Sequence, residues 1–245
     1  MKIASSALSD IGRVRSENQD SSGYFPSCNL FVVADGMGGH KGGKQASQMA
    51  VATIEERCVA APADADLGAG ISRLVDAVRD ANRRIVVRGA QDDDLGGMGT
   101  TLVALLVDGL GKGAVVHVGD SRAYRLRDGA LELLTVDHTI VSDLLRRNEI
   151  SEAEASAHPY RHVLTRALGA ADEVAADVRD IELRPGDLYV LCSDGVSGML
   201  SEDEIEAILT AHRLDPEAVC RELIAAANRA GGKDNSTAIA VVCAP

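Results

Sequence analysis

Two kinds of apolar pattern alternate along the chain. Short runs rich in Val, Ile, Leu and Ala occur at Leu30–Ala34, Thr101–Val107, Ala114–Val118, Ala123–Leu126, Leu188–Cys192 and Thr237–Cys243. Their length and composition predict strands. Apolar residues three and four apart predict helices over Lys44–Val59, Ile71–Val87, Thr139–Arg147, Glu202–His212 and Pro216–Ala230. Two helix starts carry their own signals. Ser201 and Glu204 are spaced as a capping box, and Asp215-Pro216 offers an N-cap followed by proline at the first helical position.

The order of these elements argues for one fold class. Several strands follow one another between residues 100 and 135, with Asp108-Gly109 and Asp128-Gly129 as turns between them. Helices cluster before and after. Consecutive hairpins with segregated helices predict an α+β layered fold with antiparallel sheets rather than a doubly wound parallel one. At 245 residues and 46% hydrophobic content, the chain can bury a substantial core, read as a single domain over residues 1–245. A polar, mostly helical stretch at about 137–169 interrupts the strands and predicts a flap beside a site.

Composition narrows the function classes. With 25 Lys and Arg against 37 Asp and Glu, the net charge is −12. That balance disfavours a nucleic-acid footprint, which needs clustered cations. Five cysteines, an odd count with no C-x-x-C pair, argue against a disulfide framework or a zinc site. The N-terminus lacks the apolar core of a signal peptide, and no apolar run is long enough to span a bilayer. The expectation is a cytoplasmic soluble protein that binds neither nucleic acid nor membrane, and a monomer.

Candidate chemistry lies at the strand ends. "FVVADG" ends in Asp35, "VVHVGDS" in Asp120 and "LYVLCSDG" in Asp194, while Asp234 precedes the strand of "KDNSTAIAVV". One Asp-Gly after a strand is usually a turn. Four carboxylates abutting long apolar runs are another matter, because buried carboxylates are costly unless neutralised. If they converge, hard cations such as Mg²⁺ or Mn²⁺ would fill them. The loop "ADGMGGHKGGKQAS" also nearly spells a nucleotide-binding P-loop, with Gly38, Gly43 and Lys44 in place. Gln45 stands where that motif needs Ser or Thr, so the P-loop reading fails.

These residues fall in a wider series. "GRVRSENQD" (12–20), "VVADGMGGH" (32–40), "GMGTTL" (97–102), "HVGDSRAYRLRDG" (117–129), "DHT" (137–139), "LTRALG" (164–169), "LCSDGVSGML" (191–200) and "GGKDNSTAIAV" (231–241) occur in this order. The chain thereby resembles bacterial metal-dependent serine/threonine phosphatases of the PPM (PP2C-type) family. The resemblance implies a four-layer α-β-β-α sandwich with two central antiparallel sheets. It implies two Mn²⁺ or Mg²⁺ ions, with a third position. Asp35 would bridge the pair, the Gly36 carbonyl would ligate one ion, and Asp194 and Asp234 the other. Asp120 with Asp194 would form the third position. Arg15 would bind the substrate phosphate, while Asp20 and Gln19 would support the ions from behind. Phosphoserine and phosphothreonine in proteins would be hydrolysed by direct attack of activated water, opposing a bacterial Ser/Thr kinase whose substrates, and the kinase itself, would be partners.

Some positions depart from the pattern. Animal relatives place a histidine general acid after the metal-binding Asp-Gly, where this chain has Met37. His40 lies further on and is a candidate for contacting phosphate or protonating the leaving alkoxide, water being the alternative. Asn235 is a candidate phosphate contact or a turn residue. Lys44 stands where bacterial relatives carry glutamate. Two other functions stay open to the sequence: an inactive regulatory module on this fold, and a small-molecule metal phosphohydrolase.

Overall fold

The computed structural model describes residues 2–38, 42–59 and 66–244. The chain begins with β1 (Lys2–Asp10), β2 (Ser21–Phe25), β3 (Leu30–Ala34) and the short β4 (Gly36–Met37). Helices α1 (Gly42–Val59) and α2 (Leu67–Ala90) follow, then β5 (Gly99–Thr100), β6 (Leu102–Val107), β7 (Lys112–Val118), β8 (Arg122–Arg127) and β9 (Ala130–Leu133). Next come α3 (Ile140–Arg146), α4 (Glu152–Ala157), β10 (Asp177–Glu182), β11 (Leu188–Cys192), α5 (Asp194–Ser197), α6 (Glu202–Ala211), α7 (Pro216–Arg229) and β12 (Ser236–Ala244).

Two five-stranded sheets form, ordered β1-β12-β11-β8-β9 and β10-β7-β6-β3-β2. Every pairing within them is antiparallel. Their near-continuous apolar strands make sense because both faces of each are covered. Leu30, Val32 and Ala34 of β3 pack with Leu102, Ala104 and Leu106 of β6 beneath α1 and α2. The alternate residues Phe31, Val33, Val103 and Leu105 face the other sheet, meeting Tyr189, Leu191, Ile239 and Val241. Leu188, Val190, Ala238 and Ala240 then turn outward under α6 and α7. Period-two alternation thus serves two apolar layers instead of core and solvent. The result is the α-β-β-α sandwich that the sequence pointed to.

Local signals held where they were strong. Ser201 and Glu204 close a capping box, and Asp215 accepts from Ala218 ahead of Pro216. Asp108 is a turn residue whose Oδ1 accepts from Leu110 N (2.8 Å) and Lys112 N (2.7 Å). Asp128 and Gly129 take positive φ of 52° and 84° between β8 and β9, the conformation of a tight hairpin. All five cysteines are free, with Cys192 and Cys243 buried. Among the described residues, no helix is long and apolar enough to cross a membrane.

Register puts the chemistry at one end of the sandwich. Val33 pairs with Val103, so Asp35 emerges beside Thr101. Leu102 pairs with Val118, which brings Gly119-Asp120 to the same edge. In the other sheet Cys192 pairs with Ala238, so Asp194 and Asp234 leave together.

Candidate active site

A cavity of about 550 Å³ opens at this edge and is lined by Asp35, Asp120, Asp194 and Asp234 together with Arg15, Gly36, Gln19 and Asn235. Residues separated by up to 219 positions meet there: Arg15 Nη2 donates to Asp234 Oδ2 at 2.5 Å. Gly36 is held by a constraint its sequence barely announces. A Cβ on it would lie 2.1 Å from the Gly43 carbonyl oxygen, so this strand–helix connection closes only around glycine.

The carboxylates are crowded enough to resist ionisation. Burial first, then the charges of Asp20, Asp194, Asp120 and Asp234, pushes the Asp35 carboxyl well above its ordinary range. Burial and Asp234 raise Asp194. Burial, then Asp194 and Asp137, pushes Asp120 up to about 7. Carboxyls crowded in this way favour protonation, and a cation can take the proton's place. Asp20 stands behind this group. Its Oδ2 accepts from Ser193 Oγ (2.8 Å) and Thr237 Oγ1 (2.7 Å), whereas its buried Oδ1 has no hydrogen-bond partner. Burial outweighs the two hydroxyls and lifts Asp20 to about 6. An all-oxygen donor set, self-repelling and with an orphaned carboxylate oxygen, fits hard divalent cations.

The backbone carrying Asp35 is clamped. Its N–H donates to Thr101 Oγ1 (3.0 Å), and its carbonyl accepts from Thr100 Oγ1 (2.8 Å) and Thr101 N (2.9 Å). Thr101 Oγ1 also pairs with Ser121 Oγ at 2.7 Å. Ser121, Ser193 and Thr237 were not singled out from the sequence. Their signal was a hydroxyl residue within three positions of an aspartate.

Asn235 borders the cavity, but its amide has no donor left for phosphate. Nδ2 donates to the carbonyls of Ile11 and Glu17 (both 3.0 Å), and Oδ1 accepts from Gln19 N at 2.9 Å. Asn235 is the peg on which the loop bearing Arg15 hangs. His40 lies outside the described residues. Lys44 gains an explanation: its Nζ meets Glu17 Oε1 at 2.8 Å, offsetting a carboxylate at the cavity rim. Stretch 137–169 contributes His162 and Leu164 to the lining. A second recess of about 710 Å³ beneath it shares Asp120, His162 and Asp194 with the first.

The protein phosphatase 2C family model matches residues 13–229. The chain belongs to that family. It is a phosphoprotein phosphatase of the metal-dependent kind, and an enzyme. The serine/threonine phosphatase Stp of Listeria monocytogenes is 38% identical over 235 residues, covering 95% of this chain and 92% of its own. Among solved structures, PppA, a regulatory component of the type VI secretion system in Pseudomonas aeruginosa, superposes with a TM-score of 0.88 at 34% identity, over 99% of this chain and 98% of its own. The catalytic domain of PstP in complex with two manganese ions superposes with a TM-score of 0.87 at 37% identity, over 99% of both chains.

Proposed function

We propose that this phosphatase hydrolyses phosphoserine and phosphothreonine in proteins by direct attack of water at phosphorus, without a phosphoenzyme. The observation that carries this reading is the convergence of Asp35, Asp120, Asp194, Asp234 and Arg15 on one cavity. Asp35, the Gly36 carbonyl, Asp194 and Asp234 would hold two Mn²⁺ or Mg²⁺ ions, and Asp120 with Asp194 a third. Two such ions, when bound, supply an activated water and neutralise charge developing on the phosphoryl oxygens.

The chain's own residues do the rest. Arg15 is exposed at the rim and presents a planar fork of donors that matches phosphate oxygens. Its contact with Asp234 aims it inward, and Asn235 fixes the loop beneath it. The Thr100 and Thr101 bonds hold Asp35 against recoil. No cysteine is placed to act as nucleophile: Cys192 is fully buried, and burial pushes its thiol up to about 12. Residues 137–169 act as a flap over the recess they share with the cavity. The chain works as one catalytic unit in the cytoplasm, as a monomer, on phosphoproteins that include a Ser/Thr kinase and its substrates.

The test is hydrolysis of a phosphothreonine peptide with added Mn²⁺, with chelator, and with Asp35→Asn or Asp194→Asn. Loss of several kcal/mol of transition-state stabilisation predicts a fall of about 10²–10³-fold for either variant. Undiminished turnover by the metal-stripped Asp194→Asn protein would overturn the reading.

A further inference from the structure

Apart from the acidic cavity, the fold buries a second cluster of ligand-type residues that the reaction does not use. His117 and His138 stack with ring centroids 4.7 Å apart. Asp177 lies opposite His117 in the β10–β7 register, and ligating atoms of the three residues fall within 4.8 Å of one another. Such a group invites assignment as a metal site. Its hydrogen bonds point elsewhere. The Gly119 N–H donates to His138 Nδ1 at 3.0 Å. A backbone amide can only donate, so Nδ1 carries the lone pair and the neutral ring holds its proton on Nε2. Nε2 faces Asp177 Oδ2 at 3.3 Å without closing a hydrogen bond. The same carboxylate is held by Arg166 at 2.5 Å. A cation at this spot would need a lone pair where the proton sits, beside a guanidinium.

What the ring does instead is grip Gly119. His138 N donates to Gly119 O at 3.0 Å, so the side chain and backbone of His138 bracket Gly119 through the two peptide units on either side of its Cα. Gly119 has φ +104°, and a Cβ on it would lie 2.7 Å from Thr101. It is therefore wedged between His138 and the threonine that clamps Asp35. The next residue is Asp120. Behind His138, the Thr165 N–H donates to its carbonyl at 2.8 Å, and Arg166 secures Asp177. An unbroken series of contacts links residues 165–166, at the end of the 137–169 stretch, to the backbone that aims Asp120.

We propose that His138 is a positioning residue that sets the direction of Asp120, through Gly119, and ties it to the base of the 137–169 stretch. This rests on the reading of Asp120 as a cation ligand given above. The His138→Asn and His138→Gln variants separate the roles of the ring's two nitrogens. Asn places an acceptor oxygen near the Nδ1 position and can keep the Gly119 bond, whereas Gln reaches toward the Nε2 position and leaves the Gly119 N–H without an acceptor.

Two measurements test it. The first is hydrogen exchange at the Gly119 amide in the metal-free chain, which reads the grip without any ion. Exchange is expected to speed up about tenfold or more in His138→Gln and to stay near wild type in His138→Asn. The second is Mn²⁺ titration by calorimetry, with Asp120→Asn as reference. His138→Gln should weaken the class of sites that Asp120→Asn weakens, by about tenfold, and leave the tighter class alone. His138→Asn should restore it. Should His138→Gln not fold, Asp177→Asn, which removes the carboxylate that faces the ring's Nε2 and holds Arg166, is expected to weaken the same class by a smaller factor.

Equal losses in Asn and Gln would reduce His138 to a packing role and overturn the proposal. So would a Mn²⁺ class abolished by His117→Ala but untouched by Asp120→Asn, which would return the cluster to metal binding. Faster Gly119 exchange in His138→Gln, with no Mn²⁺ class sensitive to Asp120→Asn, would sink the Asp120 reading while leaving the grip itself demonstrated.

Discussion

Replacing Asp120 by Asn should stabilise the metal-free phosphatase, and increasingly so as pH rises. The Asp120 carboxyl titrates at about 7 in the fold instead of 3.8, chiefly because burial and Asp194 oppose its charge. The folded state therefore keeps a proton that the unfolded chain has lost. Asp120's contribution to stability is complete below about pH 4 and disappears as pH rises through about 7. Over that window the cost of ionising it is on the order of 4 kcal/mol, about 3 kcal/mol of which accrues between pH 5 and 8. Asn is nearly isosteric and never ionises. The comparison also cancels His117 and His138, whose depressed titration gives stability the opposite slope below about pH 6.5.

Thermal unfolding in chelator would measure this. At roughly 2–4 °C per kcal/mol for a chain of this size, the variant's advantage in Tm should widen by about 6–12 °C from pH 5 to pH 8. Saturating Mn²⁺ should reverse the order, because only wild type retains the full donor set and ligand binding to the folded state adds stability. A gap that stays flat with pH in chelator would refute the argument that these carboxylates repel one another.

Other outcomes follow from single contacts. Arg15→Lys should raise KM for a phosphothreonine peptide about tenfold, since an ammonium cannot make the two parallel bonds of a guanidinium; steady-state kinetics would show it. Asn235→Ala should cost about 1–3 kcal/mol in urea unfolding, because it strands the Ile11 and Glu17 carbonyls and the Gln19 N–H. Arg127→Ala should cost about 3–5 kcal/mol by the same assay, leaving the Asp187 carboxylate, 1% exposed, without its partner. Gly36→Ala should lower expression and Tm sharply, given the 2.1 Å approach of its would-be Cβ to Gly43.

How far the sequence discloses such a fold depends on where each residue's partners lie. Strands β3 and β11 could be read directly, with matching bounds, because every residue in them is buried and apolar. The four aspartates could be read because each abuts an apolar run. Strand β1 could not. Its nine residues, KIASSALSD, are half-exposed and mixed. What makes them a strand is a nine-residue pairing with β12, more than two hundred positions away, and no local period encodes that. The same reasoning separates Arg15 from Asn235. Arg15 entered the candidate site through the motif that the chain shares with its family, which carries a position along with a residue type. An amide advertises nothing until its three partners are known, and those of Asn235 lie 216 to 224 residues back. His138 is the harder case, because "DHT" reads equally as ligand, acid or packing. Only the direction of one hydrogen bond, from a backbone amide into Nδ1, fixes the ring's proton and with it the role that remains.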